Sequence, residues 1–282
     1  MNPLSRWLSL VRFSHTFFAL PFALAGCISA SGDRMSWRTL AGVLVCMVTA
    51  RNAAMGFNRL VDWRIDLENP RTRMRDIPSG RISPRAAGWF VAVNLILFVA
   101  GAWFLNELCF ALSPVAIVLV LGYSLAKRFT SWCHVWLGVA IGISPIAAGI
   151  AVSGRFLAVP LWLGAILVTW LAGFDIVYAT QDESYDRSRG LNSVPVRLGR
   201  TGALRLAAAF HTATFAGVVG LGLHAGWSHG WWVATAVIGA ILLWVHVARK
   251  DDDLAMQGGF FRANVALSFL VLAGVAWETL AR

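Results

Sequence analysis

Apolar runs of about 20 residues recur along the whole chain, near 16–32, 37–57, 86–106, 108–125, 133–151, 157–181, 202–224, 229–248 and 262–281. A helix needs about that many residues to cross a bilayer, since each residue advances it by about 1.5 Å through a hydrocarbon core about 30 Å thick. Short clusters of Gly, Pro, Ser or charge separate the runs, and no stretch reads as an appended soluble domain or tail. The pattern predicts an all-α integral membrane protein, one domain over residues 1–282 with nine transmembrane helices. In the second and sixth runs, acidic residues begin before the apolar pattern has clearly ended.

Composition agrees: 58% of residues are hydrophobic and 13% charged, about half the charge of a soluble domain. The net charge of +10 could suggest nucleic acid, but its distribution argues otherwise. Apart from Arg34, Arg38, Arg155 and Arg282 on one side and Arg51 inside the second run, the other 19 of 24 Lys and Arg cluster at the N-terminus and after the even-numbered runs. By the positive-inside rule that side is cytoplasmic, with the N-terminus in and the C-terminus out. The expected location is a bacterial-type inner membrane, with the lipid bilayer and not nucleic acid as partner. The first run, preceded by Arg6 and Arg12 and holding the cleavage-like Ala23-Leu24-Ala25, could pass for a signal peptide, yet eight further spans favour an uncleaved helix. Cys27, Cys46, Cys109 and Cys133 are isolated and have no C-x-x-C spacing, so buried free thiols are expected.

Two acidic motifs carry the candidate chemistry. Asn58, Asp62 and Asp66 recur at i, i+4 and i+8, a ladder about 12 Å long on one helix face. Asp175, Tyr178, Asp182 and Asp186 likewise recur at helical spacing, and Asp175 lies within the apolar run, where a carboxylate is costly and usually faces a polar cavity. Hard oxygen ligands of this kind suit Mg²⁺, which completes its shell with water and phosphate. Arg-rich loops follow each motif, through Asn69–Arg81 and through Arg187 and Arg189, and guanidinium grips phosphate oxygens. One D-x-x-x-D could simply solvate a loop. Two at matching helix exits, holding with their surroundings eight of the 14 acidic residues, point to a divalent-metal and diphosphate site.

Tyr123 and Lys127 share a helical face after the fourth run, so Lys127 or Arg128 could reach a phosphate held there. The six histidines, from His15 and His134 to His246, show no metal-ligand spacing. Asp251-Asp252-Asp253 lacks the four-residue spacing and reads as a solvated loop. A metal-neutralised diphosphate leaving carbon generates an allylic cation, which needs a dry, aromatic-lined pocket, and 17 Phe, 14 Trp and three Tyr offer such a lining.

Asn58–Asp66 with Asn69-Pro70-Arg71-Thr72 and Ile77–Gly80 resembles the first signature of the UbiA superfamily of intramembrane aromatic prenyltransferases. Asp175–Asp182 with Asp186 and Gly190–Ser193 resembles the second, and Tyr123-Ser124, Lys127–Thr130 and Arg12 also match family positions. The resemblance implies nine helices around a central cavity, two Mg²⁺ ions, and a polyprenyl diphosphate whose tail leaves toward lipid. It further implies that Asn58, Asp62 and Asp66 bind one metal and Asp182 and Asp186 the other. Arg71, Lys127 and Arg128, beside Tyr123 and Asn58, would hold the diphosphate. Asp175 and Tyr178 would line the cavity near the acceptor ring and, with Asp62 and Asp182, form the catalytic set, while Arg12 would receive the acceptor's carboxylate. Within the superfamily the chain is most similar to 4-hydroxybenzoate polyprenyltransferases of respiratory quinone synthesis. It departs from the usual pattern at Arg75-Asp76-Ile77, which bears on whether Arg75 holds phosphate, and at His15-Thr16-Phe17, which leaves 1,4-dihydroxy-6-naphthoate, of a menaquinone route, as a second acceptor. A transporter with internal repeats is the alternative of another class.

Overall fold

The computed structural model describes Trp7, Leu10 and residues 19–31, 36–69, 72–247 and 253–280, and among them every regular element is a helix. In chain order these are α1 (Ala19–Ser31), α2 (Trp37–Glu68), α3 (Pro84–Leu105), α4 (Glu107–Ala126), α5 (Cys133–Ser153), α6 (Ala158–Ala179), α7 (Glu183–Ser188), α8 (Val194–Ala225), α9 (His229–Val247) and α10 (Asp253–Leu280). Eight of the described helices are long and apolar enough to cross a membrane, and α1 is a shorter apolar helix.

Helix ends follow local chemistry. Ser36, Ser83 and Ser193 cap α2, α3 and α8 by accepting backbone N–H groups, with Pro84 and Pro195 in the first turns of α3 and α8. Gly154 and Gly226 end α5 and α8 in the left-handed region, at φ 67° and 61°. Asn106 works in two directions. Its Oδ1 accepts from the Cys109 N–H at 2.9 Å, and its Nδ2 donates to the Ile150 carbonyl at 2.9 Å, tying the α3–α4 corner to the end of α5. The N-terminus of α9 is capped from another helix: buried Glu278 accepts from Ser228 N, Ser228 Oγ and Trp231 N at 2.8, 2.7 and 3.2 Å.

Four boundaries differ from the sequence pattern, the last being α10, which starts at Asp253 and not at 262, so Asp253 belongs to a helix and not to the loop read there. α2 does not end near residue 57 but continues to Glu68, so about 48 Å of helix carries both the apolar run and the Asn58–Asp66 ladder beyond the hydrocarbon. α8 starts at Val194 and not at 202, with a break at Gly199, where φ is 66°. α6 stops at Ala179 and α7 begins at Glu183, so the helical spacing read through Asp175, Tyr178, Asp182 and Asp186 is interrupted by a turn.

α6 is the most enclosed span, 50% buried against 11% for α4. Its Leu163, Ile166, Leu167 and Trp170 pack with Phe22 of α1, Trp231 and Ile238 of α9 and Leu267 and Val271 of α10. Lipid is as apolar as these side chains, so close backbone approach supplies much of the association. A Cβ at Gly138 of α5 would lie 2.5 Å from the Val168 carbonyl of α6, and one at Gly26 of α1 would collide with the Pro145 backbone. The helices surround a cavity of about 1020 Å³, walled by α2 to α6 with Ala19 and Arg262 at its edges.

Gly138→Val is expected to lower the thermal midpoint in detergent, since overpacking of this kind costs about 1–3 kcal/mol. Gly88→Ala, whose Cβ would meet nothing closer than 3.9 Å, should leave the midpoint unchanged or raise it. Equal midpoints for the two variants would contradict the close α5–α6 packing.

Candidate functional site

The cavity is apolar along most of its wall and polar at the end where the two acidic motifs stand. Asn58, Tyr123, Asp175 and Tyr178, all singled out by sequence, line it together with Arg51, Arg59 and Arg75. Its aromatic wall among the described residues is Phe98, Phe156 and Phe174 with those two tyrosines, and Phe174 stacks on Tyr178 at 6.3 Å between ring centres. The tryptophans lie elsewhere among the described residues: Trp170 and Trp231 fill the core, while Trp37, Trp89 and Trp103 face outward.

Just beyond the cavity Asp62, Asp66 and Asp186 each meet a cation. Asn58 Nδ2 donates to Asp62 Oδ2 at 3.3 Å, as i, i+4 neighbours do. Asp62 Oδ1 accepts from Arg128 Nη2 at 3.0 Å, and that nitrogen also donates to the Val61 carbonyl at 2.7 Å. Asp66 is buried and accepts from Arg75 Nη1 at 2.6 and 2.8 Å, while Thr72 Oγ1 donates to its carbonyl at 3.0 Å. The loop after α2 therefore folds back onto the ladder. Ile77 and Ile82 anchor it in an apolar cluster with Leu10 and Ala87, and Arg81 pairs with Asp76 at 3.2 Å.

On the second motif, Asp186 is buried on the single turn and a half of α7 and accepts from Lys127 Nζ at 3.2 Å. Burial alone would depress the Lys127 ammonium, but the carboxylates of Asp186 and Asp175 outweigh it and hold its pKa above the ordinary lysine value. Lys127 therefore stays charged at neutral pH. Asp182 occupies the turn before α7. The two motifs touch directly: Tyr185 Oη donates to the Ile65 carbonyl at 3.1 Å, and Arg189 pairs with Glu68 at 2.5 Å.

Asp175 has a partner that no sequence spacing announces. His134, 0% exposed at the start of α5, places Nδ1 2.6 Å from Asp175 Oδ2, and its Nε2 accepts from the Val194 N–H at 3.3 Å. Arg51 was also missed as a site residue, although a charge within a transmembrane run was the available signal. It lies two turns before Asn58 on the same face and lines the cavity. Arg12 and Arg71, expected at the acceptor and the diphosphate, lie outside the described residues, as does His15.

Among the described residues no three His, Cys, Asp or Glu side chains converge as a metal cluster, because Asp62, Asp66 and Asp186 are each turned toward a cation of the chain. The donor set nevertheless fits a hard divalent ion. Asn58, Asp62, Asp66, Asp182 and Asp186 offer only oxygen ligands and a side-chain amide, and Arg75, Lys127 and Arg128 are the counterions such an ion would displace toward phosphate.

A family model described as the UbiA prenyltransferase family matches residues 19–277. A mitochondrial 4-hydroxybenzoate polyprenyltransferase of Arabidopsis thaliana is 31% identical over 202 residues, 66% of this chain and 49% of that protein, so the match spans about half of that relative. A 4-hydroxybenzoate octaprenyltransferase of Janthinobacterium sp. is 28% identical over 90% of this chain and 89% of its own. Among solved structures, a UbiA homologue from Aeropyrum pernix K1 superposes with a TM-score of 0.85 at 30% identity, over 94% of this chain and 98% of that one. A UbiA homologue from Archaeoglobus fulgidus, solved with GPP and Mg²⁺, shares the fold with a TM-score of 0.71 at 22% identity over 95% and 99%.

The ion pairs divide into buried and exposed ones. Asp66→Asn, which weakens charge-assisted bonds to a carboxylate with 8% side-chain exposure, should cost about 1.5–3 kcal/mol of stability. Glu68→Gln breaks a pair exposed to 43% and 55% and should cost less than about 1 kcal/mol. Thermal melts of both variants in the same detergent check the order.

Proposed function

The chain belongs to the UbiA prenyltransferase family, and from that premise we propose that it transfers a polyprenyl group from polyprenyl diphosphate to the ring of a small aromatic acid. The observation that carries the reading is the shape of the site: one apolar cavity holding Asp175, Tyr178 and Arg51, closed at one end by paired carboxylates and cations. The apolar length suits an isoprenoid tail, and the charged end suits a diphosphate. Arg51 is a second candidate, besides Arg12, for the acceptor's carboxylate. With the family match the transporter alternative falls away.

In the reaction the C–O bond of the donor breaks and its electron pair leaves with the diphosphate. Mg²⁺, held by Asn58, Asp62, Asp66, Asp182 and Asp186, would supply charge neutralisation for that leaving group. Lys127, Arg128 and Arg75 exchange their carboxylate partners for phosphate oxygens, so each cation stays paired before and after substrate binding. Phe174 and Tyr178 shield the allylic carbon from water and present ring faces to its positive charge. A ring carbon beside the phenolic hydroxyl attacks, a new C–C bond forms, and the ring proton passes to Asp175.

The acceptor is of the 4-hydroxybenzoate type, which the names of the bacterial and plant relatives support, with 1,4-dihydroxy-6-naphthoate as the competing acid. A site facing the cytoplasm of a bacterial-type inner membrane is part of the same reading, supported by the clustering of Lys and Arg at that end of the spans.

Purified protein given Mg²⁺, labelled polyprenyl diphosphate and either acid separately should yield one alkylated product by mass spectrometry. Asp62→Ala and Asp182→Ala should each lower the rate by about 10²-fold or more. Retention of full magnesium-dependent prenylation by both variants would overturn the assignment.

A further inference from the structure

His134 is fully buried among α5, α6 and the start of α8, and both of its ring nitrogens are engaged. A backbone N–H can only donate, so the nitrogen facing Val194 must be bare, and the proton sits on Nδ1. That proton points at Asp175 Oδ2, 2.6 Å away. The imidazole is therefore held as one tautomer, donating to the carboxylate.

The far side of the ring is equally fixed. Val194 follows Asn192, whose backbone N–H donates to the Lys127 carbonyl at 2.7 Å and whose side-chain amide reaches the same oxygen at 3.5 Å. Ser193 is fully buried and caps α8. The strap that leaves the second acidic motif is thus pinned to the α4–α5 loop at Lys127 and to α5 at His134. It cannot shift without turning the imidazole.

We propose that His134 is the positioning residue for Asp175. It occupies Oδ2, leaves Oδ1 as the carboxylate oxygen for the acceptor in the cavity, and keeps the side chain at one rotamer through a tautomer fixed by the Val194 N–H. The inference rests on the reading that Asp175 faces the acceptor. A buried histidine that merely filled space would need neither nitrogen placed, and its loss would not be felt selectively at the acceptor.

Three variants separate these cases. His134→Asn restores a donor at the Nδ1 position, whereas His134→Leu keeps comparable bulk without one. Val194→Pro removes the N–H while keeping a three-carbon apolar side chain in the cluster with Ile176, Ala203 and Ala207. Proline is tolerated in the first turn of a helix, and Ser193, at φ −146° and ψ 162°, already has the extended backbone that a following proline requires.

Steady-state kinetics are measured with geranyl diphosphate and whichever of the two acids the wild-type protein alkylates. His134→Leu should lose about 10- to 100-fold in kcat/KM for the acid, as expected for a hydrogen bond to a charged group. Val194→Pro should lose about fivefold. His134→Asn should stay within about threefold of wild type, and KM for geranyl diphosphate should hold within about twofold throughout. The proposal is overturned if Asn and Leu are equally impaired, if Leu retains wild-type acceptor kinetics, or if the defect appears in the KM for geranyl diphosphate. Should the Leu variant fail to fold, a tenfold loss in the Asn variant overturns it alone. If wild-type protein alkylates neither acid, the proposed function itself falls, an outcome separate from any of these.

Discussion

Charge balance inside a low-dielectric bundle is the constraint on which the rest of this structure depends. An isolated carboxylate costs several kcal/mol to bury, and a buried pair whose partner is removed is destabilised by about 3–5 kcal/mol. Asp66, Asp186 and Asp175 are each placed where that penalty would apply, and each is met by one group from outside its own helix: Arg75 of the loop after α2, Lys127 and His134. These contacts explain why the loop after α2 folds back and why the α4–α5 loop lies against α7. The loops take their form from the carboxylates they must neutralise.

The same constraint prepares the site for an anion. Two unit charges about 4 Å apart interact by about 4 kcal/mol at an effective dielectric of about 20, so neither the carboxylates nor the cations could stand alone at this end of the cavity. Under the proposed function, a diphosphate arriving with divalent cations would offer each of these groups a replacement partner of the opposite sign. Arg128, exposed to 42%, and Lys127, exposed to 37%, are half-open to solvent and placed to make the exchange. Asp66 and Asp186 are the buried members, anchored by Thr72 through the backbone and by the turn of α7.

How much of this was legible in the sequence depended on whether one helix carried the information. Asn58, Asp62 and Asp66 sit on the uninterrupted α2, so i+4 spacing placed them correctly on one face. Asp175 and Tyr178 were read equally well from α6 and do line the cavity. Asp182 and Asp186 continue the same arithmetic, but the turn at Thr180–Asp182 breaks the helix, and no run of Gly or Pro announced it. The partner of Asp175 lies 41 residues upstream, a contact made by the packing of α5 on α6 that no local pattern encodes. Arg51 was visible as a charge within an apolar run, yet its direction became clear only once α2 was seen to face the cavity. The aromatic excess was the weakest signal, since the described tryptophans mostly serve core and lipid-facing positions and the cavity takes a few Phe and Tyr.

The length of α2 joins these observations into one geometry. A helix of 32 residues overshoots the hydrocarbon by about three turns, and the acidic ladder occupies that overhang, where water and ions can reach carboxylates that the bilayer interior would refuse. Asp175 sits lower, on a helix of only 22 residues, inside the apolar wall. Under the proposed function the acids divide by position: the ladder on the overhang of α2 would meet metal and phosphate, and Asp175, in the cavity wall, would meet the aromatic ring. Tyr185 on the Ile65 carbonyl and the strap from Asn192 to Val194 keep that vertical spacing fixed. Under the proposed function, helix length and these two loop contacts would set where the reacting carbon lies relative to the diphosphate.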